Sequence, residues 1–154
     1  MLRRRDFFSK VMTYGATLGL GSFLKESQNR TSISPLQDNP GPVMISTWRH
    51  GVDANNVGWP ILQKGGRALD AVEQGVRVVE ADPTGTSVGL GGAPDRDGHV
   101  TLDACIMDEK GNAGSVCFVQ NYMHPISIAR KVMEDTPHVM LAGRGAEKFA
   151  ADSG

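Results

Sequence analysis

The sequence predicts a layered α/β (α+β) domain, and three stretches predict it. Arg67 to Ala81 repeats Leu69, Val72, Val76 and Val79 at intervals of three and four, the period of a helix with one face turned to a core. Val100 to Met107 and Ala113 to Val119 are strand-like runs joined by Asp108-Glu109-Lys110-Gly111-Asn112, a hairpin with a glycine in its loop. After them a helix from Pro125 to about Glu134, a short strand from His138 to Leu141 and a helix from Gly143 to Ala151 follow in turn. Helices apolar on one side, buried strands and short turns fit stacked layers around a common core.

In chain order, the amino terminus comes first and is not read as fold. Arg3-Arg4-Arg5-Asp6-Phe7-Phe8-Ser9-Lys10 is a basic head with the look of a twin-arginine export motif. The weakly apolar run Val11 to Leu24 that follows holds about fourteen residues, short of the roughly 20 a spanning helix needs. Residues 1–24 are therefore expected to be an export leader, which implies a periplasmic or secreted protein, with a disordered tail as the alternative. Residues 25–42 are polar and carry three prolines without an apolar period, and read as a flexible linker or tail. The folded portion is expected over 43–154.

Val43 to Trp48 is β-branched and apolar, and predicts a short strand stopped at Arg49-His50-Gly51. A helix follows towards Lys64, with Asp53 or Asn56 as its cap and Gly65-Gly66 as its stop. Pro60 inside that span places its start late, near Asn56. In the helix from Arg67, the residues Asp70, Glu73, Gln74, Arg77 and Glu80 fall opposite the apolar stripe, and Glu73 and Arg77 form a favourable i,i+4 pair. Asp82-Pro83 ends it, because proline disfavours helical geometry in the residue before it. Pro125 suits the first position of the next helix, whose inner stripe is Ile128, Ala129, Val132 and Met133.

Composition narrows the function. A hydrophobic share of 40% and a charged share of 21% are ordinary for a globular domain. A net charge of −1 gives no argument for nucleic acid or for a membrane surface as partner. Cys105 and Cys117 are too few for a disulfide framework, and read as buried small apolar residues. As they lie on adjacent strands, a disulfide is the second reading. No metal or cofactor is expected. Asp95, Asp97 and Gly98 share the start of a calcium loop, but the glutamate at its twelfth position is missing. Asp95 and Asp97 are expected to form a turn, and Asp103 to partner backbone or a basic side chain.

Between the helix and the hairpin runs Ser87-Val88-Gly89-Leu90-Gly91-Gly92-Ala93-Pro94-Asp95, then Thr101-Leu102-Asp103-Ala104-Cys105-Ile106-Met107-Asp108. A glycine-rich loop feeding a strand shapes a pocket wall but names no reaction. In this combination, however, it resembles the signature of the glycosylasparaginases (aspartylglucosaminidases), which are N-terminal nucleophile hydrolases. The resemblance takes in Val43 to Trp48, Lys64 to Glu73 and Thr136 to Leu141, in the family's order.

The resemblance implies part of a four-layer αββα sandwich, truncated before the nucleophile, with a sheet left partly uncovered. It implies an amidohydrolase that cuts the bond between N-acetylglucosamine and an asparagine side chain, using a threonine freed at a new amino terminus by self-cleavage. That threonine is expected outside this chain, on a missing β-subunit-like half, in a heterodimer or a dimer of heterodimers. Trp48 then corresponds to a residue lining the pocket for the asparagine part of the substrate. Ser87 corresponds to a supporting residue near the nucleophile; otherwise it is an ordinary turn serine. His50 stands where the family has an aromatic apolar residue, and otherwise reads as a surface histidine. Alternatives are a plant-type asparaginase or isoaspartyl dipeptidase, against which Ser46-Thr47-Trp48 argues, and a non-catalytic partner subunit or truncated remnant.

Overall fold

The computed structural model describes residues 41–154, so the expected leader and nearly all of the expected linker lie outside the described residues. Helix α1 spans Gly51–Gln63 and α2 Ala68–Glu80, followed by a 3-10 turn at Gly89–Gly91. Strands β1 (Leu102–Met107) and β2 (Ala113–Val119) lead to helix α3 (Pro125–Asp135), strand β3 (Met140–Ala142) and helix α4 (Gly143–Ser153). The sheet order is β1-β2-β3, with β2 antiparallel to β1 and parallel to β3. Parallel neighbours need a crossover, and α3 supplies it.

The hairpin forms because its loop closes itself. The Asp108 carboxylate accepts the amides of Lys110 and Asn112 at 2.9 and 2.8 Å, and Gly111 takes a φ of 83°. Ala104 then faces Val116 and Ile106 faces Gly114, so these residues share one face of the sheet. Onto that face pack Ile126, Ala129 and Val132 of α3, Leu69 of α2 and Ala146 of α4, with Val119 fully buried among them. Gly114 lets α3 come close: a methyl there would lie 2.2 Å from the Ala129 carbonyl oxygen and 2.6 Å from the Met133 nitrogen. Helices α1 and α2 also meet backbone to backbone, since a methyl at Gly75 would lie 2.7 Å from the Ala54 carbonyl oxygen.

The opposite face carries Asp103, Cys105 and Met107 and, across the ladder, Ser115 and Met140. Met107 is 65% and Met140 57% exposed, so among the described residues this face is largely open, although Ser115 is buried where its hydroxyl donates to the Val139 carbonyl. The ladder slips between Leu102 and Ala104. There Phe118 takes a φ of 54°, strained for a bulky residue, and its amide donates to Asp103 Oδ1 at 2.8 Å. The Asp103 carboxylate thus replaces the ladder bond that the bulge removes, in keeping with its expected role.

Several expectations need correction. The segment 43–48 is not a strand: a strand needs a neighbour, no described strand lies beside it, and Ile45 is exposed. Helix α1 begins at Gly51 rather than near Asn56, because the turn at Trp48–Gly51 winds directly into it, with the amides of Asp53 and Ala54 donating to the His50 carbonyl. Pro60 stays inside and forgoes one bond to the carbonyl four residues back. Strand β1 starts two residues later than expected, at Leu102. Cys105 is exposed and Cys117 half-buried, and both are free thiols. In the ladder Cys105 faces Ser115 and Cys117 faces Ala142, so the two do not face one another. Val72 turns outward to solvent.

Gly114→Ala is expected to destabilise the fold by about 1–3 kcal/mol, because its methyl would strike helix backbone and not a side chain that can turn away. The urea midpoint at constant m-value measures this; an unchanged midpoint would show that α3 lifts from β2 without cost.

Candidate functional site

Four segments enclose a cavity of about 560 Å³: the extended chain before α1, the end of α2, the loop around Ser87 and the run Thr101–Cys105, with Pro125 and Ile126 closing one end. Trp48 and Ser87, far apart in sequence, both line it. Trp48 is 74% exposed, and its ring stacks on that of His50 with centroids 6.5 Å apart and planes 16° apart. His50 therefore also lines the cavity, as the support of the tryptophan, and is not merely a surface histidine. Ser46 Oγ donates to Asn55 Oδ1 at 2.6 Å, which ties the extended chain to α1.

The Ser87 wall is held at both ends. The Asp82 carboxylate accepts the amide and hydroxyl of Thr84 at 2.8 and 2.7 Å, and these bonds hold its pKa below the usual carboxylate range. Gly89 has a φ of 62° and sits against α2 so closely that a methyl there would lie 2.1 Å from the Glu80 carbonyl oxygen. The amide of Gly92 then donates to the Gly89 carbonyl at 3.0 Å, closing the 3-10 turn.

Behind the cavity runs a polar seam between α2 and α3. Asp70, Glu73, Arg77 and Glu80 recur at three- and four-residue intervals, so they share a face of α2. Arg130 Nη1 donates to Asp70 at 2.7 Å and to Glu73 at 2.8 Å, while its Nε donates to Glu134 at 3.1 Å. Ser127 Oγ donates to Glu73 at 2.6 Å and accepts from Arg77 Nη1 at 2.7 Å. The expected Glu73–Arg77 pair is thus replaced by bonds to α3, whose partners are less exposed to water than a helix surface. Glu80 ends the seam, 4% exposed: Oε1 accepts the Ile126 amide at 3.0 Å and Oε2 lies 3.4 Å from His124 Nδ1. It belongs to the cavity lining and not to a solvated helix face.

Burial raises the Glu80 pKa from 4.5 to about 7, against the pull of the Ile126 amide and the Arg77 charge and with some help from Glu73. Burial also holds His124 below its ordinary value, again with Arg77 contributing. Burial thus favours the uncharged form of both groups. Sequence inspection missed Glu80 and His124 as site residues; the signal was the polar stripe of α2 bordering its apolar one.

The remaining candidates lie apart. Asp95 Oδ1 accepts the amides of Asp97 and His99, both at 2.9 Å, which makes it the turn former expected, while Asp97 is exposed beside Arg96. Among the described residues no three His, Cys, Asp or Glu side chains are grouped to hold a metal ion. No described helix is long and apolar enough to cross a membrane.

Residues 45–154 match the family model described as Asparaginase. Over 151 residues the chain is 52% identical to an N(4)-(beta-N-acetylglucosaminyl)-L-asparaginase of Elizabethkingia miricola, which takes in 98% of this chain and 44% of that protein. It is 43% identical over 117 residues to the protein of the same description from Rattus norvegicus, covering 75% of this chain and 34% of the relative. An isoaspartyl peptidase/L-asparaginase of Rattus norvegicus is 50% identical over 98 residues, 63% of this chain and 29% of the relative. The chain thus spans less than half the length of each of these relatives.

The Glu80 carboxyl gives this site a pH signature. A carboxyl whose folded pKa lies above its unfolded one keeps its proton in the native state across that window, so its contribution to stability declines as pH rises from 4.5 to about 7. Glu80→Gln cannot ionise. Its stability relative to the parent is expected to climb across that window and to level off on either side. Urea titrations at stepped pH measure the difference; one that stays constant with pH would show that Glu80 titrates normally.

Proposed function

The chain belongs to the asparaginase family, and from that premise we propose that it is the amino-terminal, α-subunit-like portion of an N-terminal nucleophile amidohydrolase acting on glycosylated asparagine. The observation that carries this reading is the convergence of Trp48 and Ser87 on one cavity. The degree of identity to glycosylasparaginases over nearly the whole chain supports it.

In this reading the nucleophile is a threonine outside these residues, freed by self-cleavage, with its own α-amine as base. An α-amine of unperturbed pKa about 7.7–8.0 is partly neutral at working pH and needs no further base. The hydroxyl attacks the side-chain amide carbonyl; the C–N bond breaks, the glycosylamine leaves with the hydroxyl's proton, and a β-aspartyl ester remains. Water then adds to the ester, releasing aspartate and restoring the threonine. Ser87 orients the nucleophile's hydroxyl and amine, and Trp48 forms a wall for the asparagine part. Preorganised donors for the oxyanion, in general the largest catalytic term, belong with the nucleophile.

The second half of the enzyme is a proposal supported by two features of the fold. The open part of the sheet face presents Met107, Phe118 and Met140 to solvent, and among the described residues β1 is an edge strand, as is β3, with its outer side unpaired. A covering layer that adds a strand beside β1 satisfies both, as the four-layer sandwich and a heterodimer, or a dimer of heterodimers, require. Export by a twin-arginine leader at residues 1–24 completes the reading, supported by Arg3-Arg4-Arg5 before the apolar run.

Assays of aspartate release from glycosylated asparagine and from an isoaspartyl dipeptide, run side by side on the complete enzyme, decide the substrate. The higher kcat/KM is expected for glycosylated asparagine, and the reverse order would favour an isoaspartyl peptidase. Trp48→Ala is expected to raise KM about tenfold, as loss of an aromatic anchor does, with self-cleavage and Tm retained; a collapsed melting transition would make Trp48 a core residue. For the leader, changing Arg4 and Arg5 to Lys is expected to leave a fused reporter in the cytoplasm. Continued twin-arginine-dependent export would refute that assignment.

A further inference from the structure

Glu80 bears on two walls of the cavity through two different parts of itself. Its backbone is the surface on which Gly89 rests, without room for even a methyl group between them. Its carboxylate reaches the first turn of α3, where Oε1 takes the Ile126 amide at 3.0 Å and Oε2 faces His124 Nδ1 at 3.4 Å. The first turn of a helix has amides without intrahelical partners, and here one is met by a side chain from another helix. Ile126 and Gly89 both line the cavity, and Ser87 lies two residues before Gly89. Glu80 is also the one buried carboxylate of the seam that the Arg130 guanidinium does not reach.

We propose that Glu80 is a positioning residue of the cavity, whose buried carboxyl group locks the start of α3 to the end of α2 and so fixes the Gly89 turn and, through it, the place of Ser87. A structural brace elsewhere in the fold would change stability alone. A brace at this junction changes the precision of the Ser87 wall, and misplacement of a reacting group by about an ångström costs up to about a hundredfold in rate. This rests on the reading of Ser87 given above, but the coupling of the two walls does not.

The test uses Glu80→Met, which fills the volume but offers Ile126 no acceptor, and Glu80→Gln, which keeps the acceptor and the length. Hydrogen exchange on the complete protein is expected to show the amides of Ile126 and Gly92 losing protection together in Glu80→Met and regaining it in Glu80→Gln. On glycosylated asparagine, Glu80→Met is expected to lower kcat about tenfold with KM within about threefold, and Glu80→Gln to restore kcat. Adding Ser87→Ala to Glu80→Met is expected to cost little more, because groups acting through one another are not additive. Loss of protection at Ile126 alone, full additivity with Ser87→Ala, or no rescue by Glu80→Gln would each overturn the proposal. A parent enzyme inactive on glycosylated asparagine would overturn the functional reading instead, with the exchange result still deciding the coupling. If Glu80→Met does not fold, Glu80→Asp, whose carboxylate is too short to keep the Ile126 bond, takes its place with the same expected exchange pattern.

Discussion

The seating of α3 on β2 is the constraint from which the rest of the structure follows. Gly114 has no side chain where the Ala129 carbonyl passes, so helix and strand meet at backbone distance. That closeness buries Val116, Val119, Ala129 and Val132 almost completely, in a core with few aromatic residues to bridge a wider gap. It also sets where α3 begins. With the helix held at Gly114, its first turn comes to rest beside the end of α2, which puts the Ile126 amide within reach of Glu80. One small residue on a strand thereby governs the geometry of a cavity wall built from two helices.

Two opposing electrostatic effects divide the seam between those helices. At one end Arg130, 17% exposed, is shared by Asp70, Glu73 and Glu134. A single cation among three carboxylates works because two of the three remain partly open to water, which screens their mutual repulsion. At the other end no guanidinium meets Glu80, since Arg77 bonds to Ser127 instead. An amide and a histidine are weaker compensation than a cation, so desolvation wins and the carboxyl holds its proton to about pH 7. The two ends therefore hold α2 to α3 by different means, shared charge at Arg130 and, at Glu80, a buried carboxyl that accepts a helix amide.

Much of this was legible in the sequence, and the failures share a cause. The β2 span follows from period and punctuation, and the limits of α2, α3 and α4 do so to within two residues, because their signals are local. The turn chemistry at Asp95 and Asp108 was equally readable, since an aspartate that accepts amides two and four residues on needs no tertiary information. The misreadings concern partners. Residues 43–48 have strand composition, but a strand is defined by its neighbour. Cys105 has the composition of a core residue, yet it lies on the face of β1 that nothing described here covers. Glu80 looked solvated because helix periodicity assigns a polar residue to the outer face; the position borders the apolar stripe, and α3 covers it. For the site, Trp48 and Ser87 were found through a resemblance and not through spacing, because the fold brings them together across 38 intervening positions of chain, with α1 and α2 between them.

The cavity and the open edge of the sheet meet at β1. Thr101–Cys105, which takes in the start of edge strand β1, and Ile45–Trp48 both line the cavity. Among the described residues both segments have unmet needs: β1 has no partner on its outer side, and 43–48 has strand composition without a strand's hydrogen bonds. An unpaired edge beside a bare apolar face favours association with further chain. In the assembly proposed above, chain added beside β1 would meet the backbone requirement of that edge, and the part of it that carries the nucleophile would meet the wall on which Trp48 and Ser87 already stand. Pairing at that edge and construction of the site would then be coupled.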